Sequence, residues 1–174
     1  MAVVVWIVEG TWPACVDAAR AHPARDGRTV LLYVTTPEAV GVARGAHASL
    51  LGRTGERPGL LHGWGRDPGA EVERLAADAA DALLTEAAVR LGRPCRRVAR
   101  TGRAEREVVA EAAGAELMIC ARDGDRTRLG PHSLGPATRY VVDHAPCPLL
   151  LVWPGPAPGT DTLPPPPERP PGRP

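Results

Sequence analysis

Four cysteines and five histidines are the side chains best suited to chemistry in this chain, and their spacing argues against metal and redox work. Cys15, Cys95, Cys120 and Cys147 form no C-x-x-C pair and join no local histidine arrangement of the kind that holds zinc. They read as reduced, mostly buried small hydrophobes. Lysine is absent altogether, which removes the P-loop pattern, and neither G-x-S-x-G nor H-E-x-x-H occurs, so the chain is expected not to be an enzyme. His62 and Trp64 fall in a glycine- and proline-rich stretch and read as loop residues, while His132 reads as a solvent-exposed one.

Charge narrows the partners. The 21 basic residues, all arginine, nearly cancel the 20 acidic ones, and a net charge of +1 gives no basic surplus for nucleic acid. Asparagine, glutamine and phenylalanine are also missing, the signature of a GC-rich genome, which lowers the information carried by each glycine, alanine, proline and arginine. The apolar run at Met1 to Val8 has no basic n-region and ends within one strand length, so it is not a secretion signal. No stretch approaches the roughly 18 apolar residues that span a bilayer. The expected location is the cytoplasm, with no membrane contact.

The elements that must position any site follow from periodicity. Val3 to Val8 reads as a buried central strand. Gly10-Thr11-Trp12-Pro13 supplies a turn, an N-cap hydroxyl and a proline for a first helix that ends near His22. Thr29 to Val34 reads as a second strand, and Thr36-Pro37-Glu38 repeats the helix-start pattern. Residues 52–69 read as a long loop. Glu71 to Leu91 places apolar residues three and four apart and reads as a helix closed by Gly92. Cys95 to Thr101, Leu117 to Cys120 and Pro148 to Trp153 read as strands, Ala104 to Ala113 and Pro136 to Val142 as helices.

This alternation predicts an α/β fold, a doubly wound five-stranded parallel sheet with helices on both faces. Its binding crevice lies at the carboxyl ends of the strands, where the strand order reverses. Residues 1–154 form the domain, loop 52–69 included. Residues 155–174, dense in proline, are expected to be a disordered tail.

The segment Ala115-Glu116-Leu117-Met118-Ile119-Cys120-Ala121-Arg122-Asp123-Gly124, followed by Leu134-Gly135-Pro136-Ala137-Thr138 and His144-Ala145-Pro146-Cys147-Pro148, closely resembles the ending of universal stress proteins. There a strand runs into a G-x2-G-x9-G-[S/T] loop, then a helix, then a last strand. Glu9-Gly10-Thr11 and Leu32-Tyr33-Val34 resemble that family's Asp-Gly-Ser turn and Leu-His-Val strand end. The stretch Pro37 to Gly69 matches poorly. The chain looks like a divergent, actinobacterial-type member with the adenine nucleotide alpha hydrolase-like fold.

The resemblance implies a non-catalytic stress-response or regulatory module that binds ATP, with magnesium, or another adenine nucleotide. Carried over residue by residue, the site would comprise Ile7, Val8, Glu9, Val34, Cys120, Ala121, Asp123, Gly124, Gly135, Pro136, Ala137 and Thr138, with Arg126 and Arg128 available to pair phosphate oxygens. It also implies a homodimer through the last strand, and a structural, helix-capping role for His144. Several positions depart from the pattern. Glu9 replaces aspartate, Ala121 the first loop glycine and Pro136 the serine or threonine, and ten residues separate Gly124 from Gly135. Each change weakens the phosphate cradle: a Cβ where backbone should approach, a lost hydroxyl, a lost N–H. The alternative reading is therefore a nucleotide-independent dimeric interaction protein with a degenerate ATP site.

Overall fold

The structure, a computed structural model, describes residues 1–36 and 68–163, without the side chains of residues 68 and 69. The helix start expected at Thr36-Pro37-Glu38, the loop residues His62 and Trp64, and residues 164–174 lie largely or wholly outside the described residues.

Five strands alternate with helices: β1 (Val3–Ile7), α1 (Trp12–Ala21), β2 (Thr29–Thr35), α2 (Pro68–Leu91), β3 (Arg96–Thr101), α3 (Ala104–Ala112), β4 (Leu117–Ala121), α4 (Pro136–His144) and β5 (Leu149–Val152). The strands form one sheet in the order β3-β2-β1-β4-β5, and every neighbouring pair is parallel. The doubly wound five-stranded parallel sheet read from the sequence is therefore the observed fold.

Successive strand side chains point to opposite faces, so a continuous apolar run serves two cores at once. Val3, Val5 and Ile7 of β1 join Leu31 and Ile119 against Cys15, Val16 and Ala19 of α1 and Leu84, Ala87 and Leu91 of α2. Val4 and Trp6 join Leu32, Met118 and Cys120 against Val108 and Ala112 of α3 and Val141 of α4. All five β1 residues are buried. Fully burying a side chain such as Ile7 contributes about 1.5–3 kcal/mol, so β1, flanked and covered on both faces, fixes the centre of the sheet. The strand ends next to it are correspondingly well placed.

Three local expectations are corrected. The Thr11 hydroxyl makes no N-cap hydrogen bond to α1 and donates back to the Val8 carbonyl at 3.3 Å, because its ψ of −20° is not the extended backbone of a capping residue and Pro13 offers no N–H. The last two residues of the expected loop 52–69 are helical, α2 starting at Pro68, whose fixed φ suits a first helical position. Within the expected tail, Thr160–Thr162 forms a 3-10 turn, and the Thr162 hydroxyl accepts the Leu129 N–H at 3.0 Å. The prolines around it, which lack N–H groups, hide a Gly-Thr-Asp-Thr stretch able to hydrogen-bond.

Candidate functional site

Strand order reverses between β1 and β4: from β1 the chain winds outward through β2 and β3, then returns to β4 on the other side. The crevice that such a reversal opens lies at the carboxyl ends of these two strands. The residues carried over for the site lie on the strand ends and connections at this end of the sheet.

On the β1 side, Ile7 is fully buried and Glu9 is exposed on the turn into α1. Ile7 pairs in register with Tyr33 of β2, which brings the Tyr33 hydroxyl within 3.3 Å of Glu9 Oε1, to which it donates. Burial, then the Glu9 charge and this hydrogen bond, push the Tyr33 phenol above its usual range, so it stays a protonated donor. Val34, beside it, is buried. Glu9 is thus both held and oriented, a contact the sequence did not announce.

On the β4 side, Cys120 and Ala121 are buried, Cys120 in the core under α3 and α4 and Ala121 in the core under α1 and α2. Burial pushes the Cys120 thiol up to about 12, the Asp123 charge adding to the effect and Arg122 opposing it. Cys15, in the core on the other face of the sheet, is likewise raised to about 12 by burial and then by Cys120. Neither thiol is a nucleophile at neutral pH. All four cysteines are free.

Between β4 and α4 the chain makes a closed loop. Arg122 anchors its start: its N–H donates to the Val152 carbonyl at 2.9 Å, its guanidinium donates to the buried Ser133 hydroxyl, and it lies 4.9 Å from the centre of the Trp153 ring. Gly124 N donates to Ser133 O at 3.0 Å and Asp125 N to His132 O at 2.8 Å, zipping the loop's two ends together. The zip is tight. A Cβ on Gly124 would fall on the His132 carbonyl oxygen and 2.9 Å from the Ser133 carbonyl carbon.

The outer part of the loop is also tied to itself. Asp125 accepts from Thr127 N at 3.0 Å, from the Thr127 hydroxyl at 2.6 Å and from Arg128 Nε at 2.9 Å. The Thr127 side-chain bond, then its backbone bond, and finally Arg128 hold the Asp125 carboxyl below its usual range. Arg128 is thereby committed to Asp125, whereas Arg126 is exposed and has no partner among the described residues. At the far end Asp123 Oδ1 accepts the Gly135 N–H at 2.7 Å. Pro136 stands at the first position of α4, Ala137 is half-buried and Thr138 buried in the helix behind it.

Sequence reasoning brought these loop residues together but missed what each one does there: Ser133 as a pin, Trp153 as a platform for Arg122, and Asp123 as a partner of Gly135. His144 stacks on Tyr140, ring centres 4.0 Å apart, and its Nδ1 lies 2.9 Å from the Tyr140 carbonyl oxygen at the C-terminal end of α4. A cavity of about 500 Å³ lies at the opposite, amino-terminal end of the strands, beside Arg28, Val30, Cys95 and Arg96. It is far from the strand-order reversal. Among the described residues no group of three His, Cys, Asp or Glu side chains is placed to hold a metal ion, and no helix is long and apolar enough to cross a membrane.

Comparison with known proteins places this geometry. The model of the universal stress protein family matches residues 9–152. Among solved structures, the universal stress protein UspA from Lactobacillus plantarum is 18% identical, the match covering 87% of this chain and 97% of that one with a TM-score of 0.51. A universal stress protein in complex with cAMP is 15% identical, the match covering 89% of this chain and 98% of that one with a TM-score of 0.55. At such identities the likeness to these structures is one of fold. None of the curated proteins matches the chain.

Proposed function

The chain belongs to the universal stress protein family, and on that premise we propose that it is a non-catalytic, regulatory module of the stress response that takes an adenine-bearing ligand at the carboxyl ends of β1, β2 and β4. The observation that carries this reading is the reversal of strand order between β1 and β4, with the buried strand ends at Ile7, Val34, Cys120 and Ala121 and the β4–α4 loop at the same end of the sheet. Apolar strand ends next to an oriented polar pair, Glu9 and Tyr33, suit a flat base carrying a hydroxylated sugar. The fold neighbour in complex with cAMP supports an adenine compound as the class. A non-catalytic role is supported by the absence of nucleophile motifs in the sequence and by a Cys120 thiol kept protonated by burial.

ATP with magnesium, the ligand the resemblance implies, fits these residues only in part. The strand ends suit adenosine. The loop does not suit polyphosphate: Pro136 has no N–H, and the N–H groups of Arg122, Gly124, Asp125, Thr127, Leu129 and Gly135 all donate within the chain. No residue is assigned to magnesium.

Thermal melting with adenosine, AMP, and ATP plus magnesium tests the reading. A ligand at ten times its dissociation constant adds about 1.4 kcal/mol to the native state, and a melting point that rises with any of the three supports an adenine site. Melting curves indifferent to all three at millimolar concentration would favour a second reading, a dimeric interaction protein whose site is vestigial. That reading draws on β5, an edge strand whose residues Leu149 to Val152 are all only half-buried. Pairing with a second copy would cover both its backbone edge and these side chains. Light scattering that gives twice the chain mass at micromolar concentration supports the homodimer, and monomer mass alone counts against it.

A further inference from the structure

We propose that the carboxylate of Asp123 is a built-in occupant of the anion position in front of α4, so that the site prefers an adenine ligand with no phosphate there, an adenosine-type nucleoside, over ATP. The inference deepens the reading above and rests on it for the adenine end of the ligand. Its own foundation is the geometry of one contact.

A helix start attracts anions because its first N–H groups lack intrahelical partners and carry the positive end of the helix dipole. In front of α4 the N–H of the N-cap residue, Gly135, is taken from within. Asp123 Oδ1 takes the Gly135 N–H at 2.7 Å, and Oδ2 lies 2.8 Å from where a Cβ on Gly135 would stand, so the carboxylate lies directly against the backbone. The next residue, Pro136, offers no N–H, so a second anion would have only the N–H groups of Ala137 and Thr138, with the Asp123 charge beside it.

The loop holds Asp123 in this place. Arg122 on one side is anchored to Val152, Ser133 and Trp153, and Gly124 on the other is bound to Ser133. These bonds fix the backbone on either side of Asp123, and its exposed side chain is held by the Gly135 contact. Compensating charge is also limited, since Arg122 and Arg128 already have partners and only Arg126 is uncommitted among the loop arginines. A phosphate entering at Gly135 must displace a carboxylate or sit beside it, and like charges about 4 Å apart repel by several kcal/mol at an effective dielectric near 20, less where water screens them. A nucleoside meets no such conflict.

The test compares wild type with Asp123→Asn, which keeps the shape and removes the charge, and Asp123→Ala, which empties the position. Adenosine and ATP are titrated calorimetrically into each, and pyrophosphate is scored by thermal shift. Wild type is expected to bind adenosine at least as tightly as ATP. Both variants are expected to gain about tenfold or more for ATP, with adenosine unchanged within about twofold, and to be stabilised by pyrophosphate where wild type is not. Stronger binding of ATP than of adenosine by wild type, or ATP and pyrophosphate responses that ignore both substitutions, would overturn the proposal while leaving the adenine site standing. Pyrophosphate stabilising only the variants, with adenosine bound by none of the proteins, would uphold the role of Asp123 and remove the adenine reading instead. No response to any ligand in any protein would overturn both.

Discussion

The Leu129 N–H donates to the hydroxyl of Thr162 at 3.0 Å, so the segment that follows β5 returns to the loop between β4 and α4 and ties down its outer arm. The Thr162 hydroxyl itself donates to the Gly159 carbonyl at 2.7 Å, which fixes its direction. Leu129 is half-buried, and without Thr162 its N–H would have to find water.

Replacing Thr162 by valine removes the acceptor and keeps the shape. The expected cost is about 0.5–1.5 kcal/mol, confined to the loop, and read as faster hydrogen exchange at the Leu129 amide with a nearly unchanged melting point. Ending the chain after Pro158 is expected to do the same. A melting point lowered by several degrees would instead mean that the segment stabilises the whole domain.

Gly124 and Gly135 are expected to respond unequally to alanine. At Gly124 the new Cβ meets backbone atoms of His132, Ser133 and Leu134, which cannot move without opening the zip. At Gly135 it meets only the carboxylate of Asp123, an exposed side chain that can swing away. Gly124→Ala should cost about 1–3 kcal/mol and Gly135→Ala clearly less in urea denaturation. Equal costs would show that the Asp123 side chain is as rigid as the loop backbone.

Pro136→Ser restores a hydroxyl and an N–H at the start of α4, a change worth about 2–5 kcal/mol toward phosphate where the position is open. With Asp123 bound to the adjacent Gly135 N–H, the single substitution is expected to tighten ATP little. Joined to Asp123→Asn, it should give more than the sum of the two single effects, as neighbouring groups on one ligand do. Strict additivity in a calorimetric double-mutant cycle would place the two residues in separate environments.

Much of this arrangement was legible before any coordinates. The unbroken apolar runs of β1 and β4 and the three-and-four spacing of α2 read directly as buried strands and an amphipathic helix, because burial leaves its period in the residue types. The strand-end and loop positions came from the resemblance of Ala115 to Pro148 to a family pattern. What stayed hidden were polar contacts made by closure: Tyr33 with Glu9, Asp123 with Gly135, Thr162 with Leu129. Such contacts depend on where a loop turns, and a carboxylate in sequence looks the same whether it faces water or a helix start. Composition also misled, since the prolines after Val152 concealed the hydrogen-bonding turn at Thr160–Thr162.

The central claim, an adenine-bearing ligand at the strand-order reversal, is tested most directly by following backbone amide resonances during a titration with adenosine. Shifts are expected to cluster at Ile7 to Thr11, Tyr33 to Thr35 and Cys120 to Gly124, with the opposite strand ends at Arg28 to Val30 and Cys95 to Arg96 unmoved. Saturable shifts centred on that opposite end, or no shifts at millimolar adenosine, would contradict it.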